Sequence, residues 1–183
     1  MIIGKKVFLR GLELNDADII MKYWNNPELQ QYMNKPRIVS KEEEIAWIRE
    51  TWERRNKGEA YIFGIVHIEE KKYIGNLELR IINPIAKRSV LGIVIFNPDY
   101  WGKGFGEEAI RLILQYGFET LNLKTVELEL FDFNKRAQMC YKKIGFVEIG
   151  KKRDAHFIKG KFHDIIIMDI NSEEFTRNIV QRE

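Results

Sequence analysis

The chain has 183 residues but one cysteine, four prolines, three histidines and little charge imbalance. With Cys140 alone, an internal disulfide is impossible. His67, His156 and His163 are scattered without metal-ligand spacing, so no metal centre is expected, and they read as surface or strand residues. A net charge of +3 falls short of the basic excess of a dedicated nucleic-acid binder. The one tight basic run, Lys151-Lys152-Arg153, reads as a solvated hairpin. No apolar run approaches the roughly 20 residues that cross a bilayer. The opening MIIGKKVFLR lacks the apolar stretch and cleavage site of a signal peptide. These absences lead to the expectation of a cytoplasmic protein with neither nucleic acid nor membrane as partner. No repeat, low-complexity tract or linker interrupts the chain, so one domain spanning 1–183 is expected.

What is present alternates between two periodicities. Residues 5–11 read as a first strand, and Asn15 as the N-cap of a helix carrying Ile19, Ile20, Tyr23 and Trp24 that ends before Pro27. A short piece over 28–33 reads as helical. Ser40 with Glu43 is a capping box opening a helix of about 16 residues, with Ile45, Ile48 and Trp52 inward and Gly58 as its stop. Residues 60–68 and 72–82 form an expected hairpin. A strand over 91–96 leads through Asn97-Pro98-Asp99 into Gly102-Lys103-Gly104-Phe105-Gly106 and a helix running to about Thr120. Residues 125–131 alternate, with Val126, Leu128 and Leu130 on one face and Glu127 and Glu129 on the other. Asn134 caps a further helix that Gly145 closes. Strands over 146–150 and 165–170, then a terminal helix over 172–182, complete an α+β order with a mixed, mostly antiparallel sheet.

Strand, glycine-rich turn and helix N-terminus make an anion site. The first helical amides have no intrahelical acceptor, and glycine lets the backbone approach a ligand closely. A Walker A loop is excluded because Lys103 lies between glycines and no Ser or Thr follows. A dinucleotide fingerprint is excluded because Glu107 stands where the third glycine belongs. Glu107 and Glu108 must point away from any phosphate held by these amides.

The run W-G-K-G-F-G-E-E-A, from Trp101 to Ala109, resembles the acetyl-CoA pyrophosphate loop of the GNAT superfamily of N-acetyltransferases, with Trp101 where Gln or Arg is usual. N-K-R-A-Q-M-C-Y-K-K-I-G-F, from Asn134 to Phe146, is similar to the superfamily's N-x-x-A-x-x-x-Y-x-x-x-G-F helix. The resemblance covers essentially the whole chain and implies the GNAT fold with acetyl-CoA as acetyl donor. It also implies residue roles. Backbone groups of Val94, Ile95 and Phe96 would pair with the pantetheine arm. The loop from Trp101 through Gly102, Lys103, Gly104, Phe105 and Gly106 to Glu107 would hold the pyrophosphate mainly through amides. Asn134 would contact the pantetheine, with simple helix capping as the competing role. Tyr141 matches the acid that protonates the leaving thiolate. Glu129 matches a general base, with Glu127, Glu78 or water as alternatives. Cys140 reads as a small core residue.

Within the superfamily the chain is most similar to the branch of ribosomal-protein N-terminal and spermidine N-acetyltransferases. The expected reaction is acetyl transfer to a primary amine, a protein N-terminus first and a polyamine or other small amine as the alternative. Glu28, Glu42, Glu43 and Glu44 are the only acidic cluster near the expected acceptor site, and a helix start accounts for three of them. A non-catalytic acyl-CoA sensor would lose the acid, and Tyr141 argues against it. A homodimer is expected from the resemblance alone.

Overall fold

The computed structural model describes residues 1–33 and 38–180. Eight strands form one sheet in the order β1-β2-β3-β4-β5-β6-β8-β7. β1 (Ile2–Ile3), β2 (Val7–Arg10), β3 (Ala60–His67), β4 (Tyr73–Asn83) and β5 (Arg88–Ile95) pair antiparallel in succession. β6 (Thr125–Phe131) joins β5 in parallel, and β7 (Val147–Ile158) and β8 (Lys161–Asn171) close the other edge antiparallel. The mixed, mostly antiparallel sheet is the one expected.

The β5–β6 junction sets the position of the site. These strands pair only over Arg88, Ser89 and Val90 against Thr125, Val126 and Glu127. Beyond Val90, β5 stays with β4 and β6 stays with β8, so a gap opens through the sheet. Glycine helps β5 end here. A Cβ on Gly75 would lie 2.2 Å from the Val94 carbonyl oxygen, so only a residue without one permits this close crossing of β4 and β5.

Helices cover the two faces. α1 (Asp16–Trp24), α2 (Pro27–Gln30) and α3 (Lys41–Asn56) lie on one, where Ile20, Leu29, Ile48, Ile62, Tyr73 and Phe96 make a small core. α4 (Phe105–Gln115) lies on the other, over a larger core with Leu79, Ile110, Ile113, Leu114, Leu128 and Ile144. α5 (Lys135–Ile144) follows β6, and α6 (Ser172–Val180) follows β8. Residues 181 and 182 of the expected terminal helix lie outside the described residues.

Several expectations need correction. Asn15 makes no capping bond, because it is itself helical in backbone. Asp16 organises the entry to α1 instead: its buried carboxylate takes both arms of Arg10 at 2.7 Å and the Glu13 amide at 2.9 Å. The Ser40–Glu43 capping box is present in both directions. The residues α3 buries, however, are Glu44, Ile48 and Thr51, with Ile45 and Trp52 only partly covered. β5 begins three residues before the expected strand, and α4 ends in a π-helical turn over Tyr116–Thr120. β7 and β8 form a much longer hairpin than expected. Lys151 pairs with Asp164 at 3.0 Å and Lys152 pairs with Glu129, so the basic run does lie on a solvated hairpin.

Candidate active site

The β5–β6 gap is the waist of a cavity of about 1290 Å³ that reaches both faces of the sheet. Its first end lies at the start of α4. Gly102 and Gly104 take φ of +72° and +86°, and open space surrounds the missing Gly102 side chain. Side chains would be strained at both positions. The amides of the first turn of α4 have no intrahelical acceptor. Both acidic residues there are turned aside. Glu107 pairs with Lys143 at 2.7 Å and Arg111 at 3.1 Å. Those cations hold its carboxyl below the usual range against the opposing effect of its burial. Glu108 accepts from the backbone amides of Lys5, Lys6 and Val7 at 2.9, 2.7 and 2.8 Å. Lys6 and Lys103 line this end with the glycines.

The waist is built from β5. The Phe96 amide donates to the Ile74 carbonyl at 2.9 Å, so Phe96 faces β4, and by alternation so does the backbone of Val94. Ile93 and Ile95 present their backbone groups to the gap. This corrects the expectation for Val94 and Phe96, whose backbone groups face β4, and the Phe96 ring is buried in the core of the α1–α3 face. The Ile95 carbonyl accepts from the Trp101 indole at 2.8 Å, so Trp101 tethers the loop to the strand end. Arg136 lies 3.9 Å over the Trp101 ring, and Tyr32 packs edge-on against it. Phe105 is expected to contribute its amide to the loop. Its side chain is buried against His67 and Tyr100, leaving only its amide for a ligand. His67 is accordingly an interior residue.

α5 forms the opposite wall. Asn134 caps it, its Oδ1 accepting from the Ala137 amide at 3.2 Å. That bond uses only the oxygen, so capping leaves the Nδ2 donors available for a second contact. The two roles weighed for Asn134 are therefore compatible. Tyr141 is buried edge-on to Phe146 and borders the cavity. Burial pushes its phenol well above the ordinary value, which keeps the hydroxyl protonated and able to donate. Cys140 packs against the core, as expected, and also borders the cavity, and burial raises its thiol.

The second end opens between β4 and α1–α3. Trp24, Leu29, Tyr32, Met33 and Trp47 supply apolar walls, with Glu44, Asn76 and Glu78 among them. Glu44 is 7% exposed. The Tyr73 hydroxyl donates to Asn76, and burial raises the Tyr73 phenol strongly. Glu78 stands opposite Gly92, where a Cβ would come within 3.3 Å of its Cγ, and Arg54 approaches it at 3.9 Å. Of the other candidate bases, Glu129 reaches the cavity rim but is bound by Lys152. Glu127 is taken by Arg88 at 2.8 Å and is not among the lining residues.

No local pattern in the sequence marks Lys6, Ile93, Asn76 or Arg136 as a site residue, and Glu44 is read there only within the acidic cluster of a helix start. A signal existed for Glu44: with Ile48 and Thr51 it falls at i, i+4 and i+7, one helical face.

Comparison with known proteins places this geometry. A family model described as the acetyltransferase (GNAT) domain matches residues 6–147. The spermidine N(1)-acetyltransferase of Vibrio cholerae serotype O1 is 30% identical over 172 residues, covering 94% of this chain and 96% of the relative. The N-acetyltransferase p20 of Bacillus licheniformis is 28% identical over 171 residues, covering 93% and 96%. Among solved structures, spermidine N-acetyltransferase from Vibrio cholerae in complex with CoA and spermine superposes with a TM-score of 0.84. It is 28% identical, with 94% of this chain and 99% of that one covered.

Proposed function

The chain belongs to the GNAT acetyltransferase family, and within that family we propose that it acetylates a polyamine of the spermidine class. The observation that carries this reading is the opposite polarity of the two cavity ends. Lys6, Lys103 and the free amides of α4 gather where an anionic donor belongs. Glu44, Glu78 and Asn76 gather among aromatic rings where an acceptor belongs. Carboxylates pair with ammonium groups, and aromatic faces attract them further. Wall residues Trp24, Leu29 and Trp47 suit the methylene spacers between them. The names of the Vibrio cholerae relatives support the same acceptor, so the polyamine is preferred here to the protein N-terminus.

The residues fit acetyl-CoA. A strand gap, a loop with two left-handed glycines and a cavity of about 1290 Å³ suit an extended, anionic molecule. Bound acetyl-CoA supplies the thioester whose acetyl carbon the neutral amine attacks. The amides of residues 104–107 hold the pyrophosphate, with Trp101 anchoring the loop and Lys103 adding charge. The gap-facing backbone of Ile93 and Ile95 orients the pantetheine, and Asn134 Nδ2 donates to it. Glu78, directly or through water, takes the proton that the amine must lose. Tyr141, held protonated by burial, gives a proton to the departing sulfur. Glu129, bound to Lys152, sits on the rim as a third acidic contact for the polycation.

The test is an acceptor panel of spermidine, spermine, putrescine and Ala- and Ser-initial peptides, followed by thiol release from acetyl-CoA. Spermidine or spermine is expected to exceed the peptides at least tenfold in kcat/KM. Preference for a peptide would overturn the acceptor reading while leaving the donor reading intact.

A further inference from the structure

The β1–β2 turn lies about a hundred residues from the glycine loop in sequence, yet it is bolted to the helix that follows that loop. The Glu108 carboxylate accepts three consecutive amides, those of Lys5, Lys6 and Val7, all within 2.9 Å. Gly4 makes this possible, since a Cβ there would lie 2.9 Å from Glu108 Cδ and 3.0 Å from the Val7 carbonyl. With the Lys6 backbone fixed this way, its side chain crosses to the loop, and Nζ donates to the Lys103 carbonyl at 3.1 Å. The same ammonium would stand 3.2 Å from a Cβ on Gly104.

We propose that Lys6 is a positioning residue of the donor-phosphate loop, setting the direction in which the Gly104 amide points and adding a second positive charge beside Lys103. The proposal rests on the reading of residues 102–107 as the pyrophosphate site. The peptide between Lys103 and Gly104 is trans, so the Lys103 carbonyl and the Gly104 N–H point in opposite directions across one peptide plane. Pinning the carbonyl from the β2 side therefore aims the N–H away from β2. A loop with two glycines has more conformations to lose on binding than one of the same length without them, and fixing one plane beforehand removes part of that cost. The charge balance agrees. Glu107 is bound by Lys143 and Arg111, and Glu108 is surrounded by amide dipoles. Lys6 and Lys103 line the cavity beside the glycines, and Arg136 lies over Trp101 at the start of the loop.

The experiment is calorimetric titration of CoA and of 3′-dephospho-CoA into the full chain and its Lys6→Gln, Lys6→Arg and Gly104→Ala variants, at two salt concentrations. Lys6→Gln is expected to weaken both ligands by about tenfold, the worth of one charged hydrogen bond. Lys6→Arg is expected to recover most of that loss, and Lys6→Gln to flatten the salt dependence of binding. Full-strength binding by Lys6→Gln would overturn the proposal. So would a loss seen with CoA but not with dephospho-CoA, which would put Lys6 on the ribose phosphate. Gly104→Ala separates the two levels. If it weakens CoA while Lys6→Gln does not, only the role of Lys6 falls; if it binds CoA normally and melts normally, the loop reading falls with it.

Discussion

The two ends of the cavity are built in different ways. The end proposed for the donor is made of backbone: free amides, two left-handed glycines and strand edges, all within two short stretches of sequence. The acceptor end is made of side chains from α1, α2, α3 and β4, distant in sequence and brought together by packing. Backbone chemistry tolerates substitution and constrains the ligand class. Side-chain chemistry chooses among acceptors and varies freely.

Tyr141→Phe removes the hydroxyl at the waist and is expected to lower kcat roughly 10²-fold, the low end for a lost general acid. CoA affinity should hold, because the ring and its packing on Phe146 remain. A kcat near wild type would make Tyr141 a packing residue. The pH profile adds a signed test. The folded-state phenol is raised, so it stays protonated up to and beyond its ordinary value of about 10. Tyr141 should therefore impose no alkaline limb on kcat below about pH 10. Its contribution to stability should be complete below that pH and lost only as pH rises through the raised value.

A smaller effect tests the donor end. Asn134→Asp keeps an oxygen to cap α5 but loses the Nδ2 donors. Melting temperature should stay within a few degrees, while CoA binding weakens several-fold. Unchanged binding would leave Asn134 a cap only.

The smallest effect tests the acceptor end. Ser40→Ala removes the capping box that begins α3, at a cost of about 1 kcal/mol in stability. The first turn it frees carries Glu44, so KM for spermidine should rise modestly while CoA affinity is unchanged. Parallel changes in both would deny the separation of the ends.

The same contrast explains what could be read in advance. The donor loop and the Asn134–Tyr141 helix are local motifs, and each sits where it was expected. The hairpin over 60–83, the Ser40 cap and the Gly145 stop were legible for the same reason, because propensity and capping act over a few residues. The β7–β8 hairpin was underestimated. Its middle is exposed on an edge strand, with a register shift between Lys152 and His156 and a left-handed Asp154, so no apolar alternation marks it. The Phe96 amide is expected to face the ligand, yet it donates to the Ile74 carbonyl of β4, a choice of strand side that no local pattern encodes. Glu44 is named in the acidic cluster near the acceptor site, but a helix start accounts for it there, although its helical face points inward. Lys6 reaches the loop only through a contact spanning 97 positions, which no local pattern encodes.

On this reading one cavity has two chemically opposed and separable ends. One preparation of a Glu44→Gln, Glu78→Gln double variant tests it, with CoA affinity measured by calorimetry and the spermidine dependence of acetyl transfer measured at saturating acetyl-CoA. CoA affinity should stay within twofold of wild type. The kcat/KM for spermidine should fall at least tenfold, about 1.4 kcal/mol for the two carboxylates together. An unchanged kcat/KM for spermidine, or an equal loss of CoA affinity, would contradict the claim.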